Sequence, residues 1–151
     1  MTAVTPAQPP AAKRVLVVED ELMIRMLLED MLAELGYTVA AEAGRIEEAL
    51  QAAKTADFDL AILDVNLDGE PVLPVADALV ARGMPFVFAT GYGERGVPGP
   101  YRDRPMLKKP FQMEGLKQML QTALEGEKNY RRVVRVTSRE RVNRKAPPDA
   151  S

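Results

Sequence analysis

Cysteine and histidine are both absent from the 151-residue chain, and each absence removes a class of chemistry. Without cysteine there is no disulfide and no thiol nucleophile. Without histidine there is no imidazole catalysis, no histidine metal ligand and no phosphohistidine carried by this chain itself. Long apolar runs are missing too. Nothing approaches the length that spans a bilayer, and the N-terminal MTAVTPAQPPAAK lacks an apolar signal core, so a cytoplasmic protein with no membrane partner is expected. Chemistry is left to carboxylates, lysine, arginine, threonine and tyrosine.

What is present fits one domain with one substantial core, since 46% of residues are hydrophobic and 28% charged. The net charge of −2 conceals an asymmetry: residues 127–151 carry eight Lys or Arg against three acids, a net of +5, which leaves −7 on residues 1–126. An acidic body argues against nucleic acid as the main ligand and suits a site that collects a divalent cation. Residues 1–12, rich in Pro and Ala, read as a disordered lead-in, and 127–151 as a basic tail flanking a domain at 13–126.

Within the domain, apolar periodicity alternates between two kinds of element. Val15–Val18 is a β-branched run ending in Glu19-Asp20-Glu21. Ile24, Leu27, Leu28, Met31, Leu32 and Leu35 then recur at helical spacing up to Gly36. Thr38–Glu42 reads as a strand, and Ile46, Ala49, Leu50 and Ala53 mark a second helix. Leu60–Leu63 is a continuous apolar run, the signature of a strand buried on both faces, and it delivers Asp64 at its end. After a loop at 64–71, Val72–Arg82 is a helix closed by Gly83, and Pro85–Ala89 is a fourth strand leading to Thr90. The next stretch, GYGERGVPGPYRDRP, holds too many Gly and Pro for a well-formed helix, so a short or irregular segment is expected. Met106–Lys108 makes a fifth strand, and Met113, Leu116, Leu120, Ala123 and Leu124 outline a last helix. This alternation specifies an α/β fold: a doubly wound, five-stranded parallel sheet, order 2-1-3-4-5, with helices on both faces.

In that order the ligand crevice lies between strands 1 and 3, whose ends carry Glu19-Asp20 and Asp64. Three converging carboxylates repel one another unless a cation sits among them, and oxygen ligands with open water positions favour Mg²⁺. Glu19 and Asp20 also suit the cap of the first helix. Strand 4 contributes the Thr90 hydroxyl and strand 5 the Lys109 ammonium, a donor and a compact charge suited to a phosphoryl group.

Through VLVVEDE, LAILDVNL, FATGY and KKPF, residues 13–125 resemble the receiver domain of two-component response regulators, which has a flavodoxin-like fold. The resemblance implies that Asp64 accepts a phosphoryl group from a sensor histidine kinase or a histidine phosphotransfer protein. It implies Asp20 as a direct Mg²⁺ ligand, Glu19 acting through water, Asn66 offering its backbone carbonyl, Thr90 as the switch hydroxyl and Lys109 pairing with the phosphoryl group. It also implies a cis Lys109-Pro110 bond. Met106 stands where the family usually has an aromatic, and Tyr92 is a candidate replacement. PFVFATGYG resembles the FAT-GUY subfamily, whose kinases are often of the HWE class.

The expected function is therefore that of a single-domain response regulator rather than an enzyme. It would serve as phosphate shuttle or sink, or as a phosphorylation-dependent partner binder, with a homodimer left open. An Asp-nucleophile phosphatase would need a second acid where Asn66 stands. The alternative is a phosphorylation-independent binding module acting through the arginine- and valine-bearing tail at 130–145.

Overall fold

The computed structural model describes residues 12–91, 99–101, 104 and 106–126. The expected lead-in up to residue 11, the replacement aromatic Tyr92 and the basic tail from residue 127 lie outside the described residues. So does most of the irregular segment after Thr90.

Strand β1, Arg14–Val18, is buried from Val15 onward because both its faces are covered. Val15 and Val17 pack with Leu28, Met31 and Leu32 of α1, Leu22–Glu34, while Leu16 and Val18 pack on the opposite face. The same division runs through β3, Leu60–Asp64, and through Phe86–Thr90, the fourth strand of the main sheet. Both are buried at every position. This explains why these segments read as unbroken apolar runs: with helices on each side, neither set of alternating side chains meets water.

The remaining edges are less apolar. Strand β2, Thr38–Ala43, is only partly covered. It leads into α2, Ile46–Thr55, which packs beside the helix Leu73–Arg82 on one face of the sheet. The helix at 113–126 shares the other face with α1. Gly83 ends Leu73–Arg82 in the left-handed conformation, φ 75°, where a side chain would be strained.

The segment 64–71, expected as a loop, carries regular structure of its own. Asn66–Leu67 (β4) and Glu70–Pro71 (β5) form a two-stranded antiparallel hairpin. Asp68 and Gly69 turn it with φ of 52° and 83°, the paired positive values of a type I′ turn. The Asp-Gly dipeptide is the sequence signal for it. With these labels the helix Leu73–Arg82 is α3, Phe86–Thr90 is β6, Met106–Lys108 is β7 and 113–126 is α4. The main sheet runs β2-β1-β3-β6-β7, all parallel, which is the expected 2-1-3-4-5 order once the hairpin is set aside. The chain leaves β1 toward one edge and β3 toward the other, so the crevice falls between their carboxyl ends.

Candidate functional site

The pleat brings the site together. Side chains alternate along a strand, so Glu19, following Val15 and Val17, and Asp64, following Leu60 and Ile62, both continue the face that packs against α1. Lys109 continues the same face from Leu107. Its ammonium lies 3.0 Å from Oε1 of Glu19 and 3.3 Å from Oδ2 of Asp64, bridging residues 90 and 45 positions away in the chain. Lys108, its neighbour, is exposed. The Lys109-Pro110 bond is cis, as the sequence resemblance implied.

Burial gives this cluster its electrostatics. Glu19 is 2% exposed and Asp64 8%. Burial, reinforced by a hydrogen bond with Asp64 and by its negative charge, pushes the Glu19 carboxyl up to about 8 against the opposing pull of Lys109. Burial alone would lower the Lys109 ammonium, but the Glu19 hydrogen bond and the charges of both acids outweigh it, and the net direction is up. Lys109 therefore stays charged at neutral pH.

Asp20 stands at the solvent edge of the cluster. Its Oδ2 accepts the Asp68 backbone N–H at 3.1 Å, which ties the hairpin to the acid pair. Sequence reasoning had no role for Asp68. Asn66 donates its backbone N–H to Oδ1 of Asp64 at 3.3 Å. In the hairpin, Asn66 faces Pro71 as a non-hydrogen-bonded pair, consistent with the Val72 N–H reaching the Val65 carbonyl at 3.2 Å one step further along. The hairpin ladder thus makes no use of the Asn66 carbonyl, which lies along the same strand edge as the N–H that binds Asp64. The capping role open to Glu19 and Asp20 is not taken up: the N-cap of α1 is Glu21, with no side-chain capping bond.

Thr90 enters the site differently. It is 1% exposed, and its carbonyl accepts the Lys109 N–H at 3.0 Å, which anchors the lysine's backbone. By the pleat its side chain continues the Phe86 and Phe88 face, opposite to Asp64.

The donor set fits a hard divalent cation. Carboxylate oxygens of Glu19, Asp20 and Asp64 all lie within 4.8 Å of one another, with no sulfur or imidazole among them. A raised Glu19 carboxyl makes protons and an entering cation compete for the cluster. Mg²⁺ binding is therefore expected to release protons near neutral pH and to tighten as pH rises toward 8. Calorimetric titration in buffers of different ionisation enthalpy measures this, and a pH-independent affinity would count against it.

With this geometry in place, comparison with known proteins is specific. The model of the response regulator receiver domain matches residues 15–121. The transcriptional regulatory protein PdtaR of Mycobacterium tuberculosis is 34% identical over 136 residues, covering 82% of this chain and 66% of its own length. The chain thus spans just under two thirds of that relative. The solution structure of SdrG from Sphingomonas melonis Fr1 superposes with a TM-score of 0.69 at 46% identity, over 77% of this chain and 98% of that one. The BeF3-activated conformation of SdrG from Pseudomonas melonis Fr1 gives 0.66 at 44% identity, over 77% and 99%.

Proposed function

The chain belongs to the response regulator receiver domain family, and from that membership we propose that it is a phosphorylation-controlled signalling module whose phosphoacceptor is Asp64. One observation carries the reading: a half-buried lysine contacts both Asp64 and Glu19 beside the point where the strand order reverses, between β1 and β3.

The step is a phosphoryl transfer. A carboxylate oxygen of Asp64 attacks the phosphorus of a partner's phosphohistidine. The P–N bond breaks with its electron pair remaining on the imidazole, and a C–O–P acyl phosphate forms. An ionised carboxylate needs no general base. Lys109 meets the charge on the transferring oxygens, and the rigid strand ends hold nucleophile and cation in register. Glu19, Asp20, Asp64 and the Asn66 carbonyl are the groups that would hold Mg²⁺, which supplies further charge neutralisation to the phosphoryl group when bound. Lys109 and Thr90 are joined through the backbone, so movement of one is transmitted to the other.

The donor is a histidine kinase or phosphotransfer protein. PFVFATGYG supports the FAT-GUY subfamily and with it a kinase of the HWE class. A docking surface adjoins the acid pair directly along the chain: Leu22, Met23, Met26 and Leu27 form an exposed apolar face on the first half of α1, with Met23 82% exposed. A helix of the kinase would cover it. Met23→Glu with Met26→Glu is expected to slow transfer from the kinase at least about tenfold, and acetyl phosphate labelling by less than about twofold, because surface changes of this kind cost little stability.

The test of the whole reading is direct. Incubated with Mg²⁺ and either a phosphorylated kinase or acetyl phosphate, the chain should gain one phosphoryl group that hydroxylamine releases. No uptake from either donor would overturn it. The lifetime of that group then separates the roles: rapid return to a histidine acceptor marks a shuttle or sink, and persistence marks a phosphorylation-dependent partner binder.

A further inference from the structure

Tyr101 has no part in the phosphoacceptor reading, yet its contacts join three elements. Its ring meets Phe86 edge-on at 5.8 Å and Phe88 at a tilt at 6.1 Å between centroids, while Phe86 and Phe88 meet each other edge-on at 5.4 Å. Its hydroxyl donates to Oδ1 of Asp77 on α3. The Arg104 guanidinium lies 4.6 Å from the centre of the Phe86 ring and 5.8 Å from that of Tyr101. The 3₁₀ turn Gly99–Tyr101 is thereby moored to β6 through an aromatic cluster and to α3 through one hydrogen bond.

Position makes this mooring relevant to the site. Phe86, Phe88 and Thr90 alternate along β6 and share a face, so the Tyr101 ring covers the row that ends at Thr90. Met106, opposite Phe88 on β7, packs half-buried against the same cluster. An unbranched, flexible side chain there can follow a change in its neighbours. Burial and the Asp77 carboxylate push the Tyr101 hydroxyl up to about 12, so it remains a donor throughout the neutral range. Asp77 is exposed and water competes for it. The bond therefore biases the turn toward α3 without locking it there.

We propose that Tyr101 and Asp77 form a latch that holds the Gly99–Tyr101 turn against α3 in the unphosphorylated protein, and that a phosphoryl group on Asp64 opens it. Tyr101 is then a positioning residue for the state that follows phosphorylation, and the proposal rests on Asp64 as the phosphoacceptor. Linkage fixes the sign: if occupancy of Asp64 opens the latch, cutting the latch must tighten occupancy by the same factor.

The experiment measures affinity for beryllofluoride with Mg²⁺ on the full chain, using wild type, Tyr101→Phe, Asp77→Ala and the double variant. Phenylalanine keeps the ring packing, and alanine suits an exposed helix position. Each single change is expected to tighten binding at least about fivefold, and the double no further than either single. A merely structural contribution would weaken binding or leave it alone. Unchanged or weaker binding in either single variant, or additive effects in the double, overturns the latch while wild-type binding keeps the phosphoacceptor reading. A wild type that binds no beryllofluoride overturns both.

Discussion

Asp64→Asn is expected to abolish phosphoryl uptake, a loss of at least about 10³-fold from kinase and acetyl phosphate alike, equivalent to about 4 kcal/mol of barrier. The amide keeps the shape of the carboxylate and can still accept the Asn66 N–H, but it has no ionised oxygen to attack phosphorus. The fold should survive. Asp64 is one of two acids crowded around Lys109, and its charge is among the causes that push the Glu19 carboxyl up. Neutralising it relieves that repulsion, so Glu19 should titrate lower in the variant, and thermal stability near neutral pH should stay within about 1 kcal/mol of wild type. Acid-quenched mass spectrometry for one added phosphoryl group, read beside a melting curve, separates lost chemistry from lost folding. Equal labelling of wild type and variant would remove Asp64 from the mechanism.

Lys109→Met should produce the largest change in stability, and one that depends on pH. The ammonium, 17% exposed, is the cation that both buried carboxylates contact. Removing one partner of a buried charge cluster strands the others, at a cost of about 3 kcal/mol when both acids are ionised. The sign follows from Glu19. Its folded-state carboxyl is raised to about 8, above its unfolded value of 4.5, so the folded protein binds the proton more tightly. Stability of the metal-free protein therefore falls as pH rises from about 4.5 toward 8, and levels off above it. Without Lys109 the Glu19 carboxyl goes higher still. The destabilisation should be smaller near pH 6, where Glu19 is neutral and only the Asp64 contact is lost, than above pH 8. Saturating Mg²⁺ should recover part of it by replacing the missing positive charge. Melting curves across that range, with and without Mg²⁺, check each step. A loss independent of pH and of Mg²⁺ would mean that Lys109 contributes packing rather than charge.

The central strands were legible because burial on both faces leaves an unbroken apolar run, as in Val15–Val18 and Leu60–Leu63. Helix α1 was legible from its 3.6-residue stripe, and the acids were conspicuous because they end those runs. The hairpin at 66–71 was not read, although Asp68-Gly69 carries its signal, because two residues per strand are too few to show alternation. Tyr101 gave no signal at all. A single aromatic among glycines and prolines has no period, and its meaning depends on Phe86, Phe88 and Asp77, which only the fold brings near. The boundary of β6 also moved by one residue, from Pro85–Ala89 to Phe86–Thr90, which makes Thr90 part of the strand rather than its sequel.

By itself, then, the sequence determined the order of strands and helices and put a carboxylate, a hydroxyl and a lysine at successive strand ends, because periodicity and burial are properties of neighbouring residues. It could not decide that Glu19 is buried while Asp20 meets solvent, or that Lys109 rather than Lys108 bridges two acids. Those are consequences of the tertiary structure. The crossovers between parallel strands bring residues 45 and 90 positions apart within 3.3 Å of one ammonium, and the pleat then selects, residue by residue, which side chains face it.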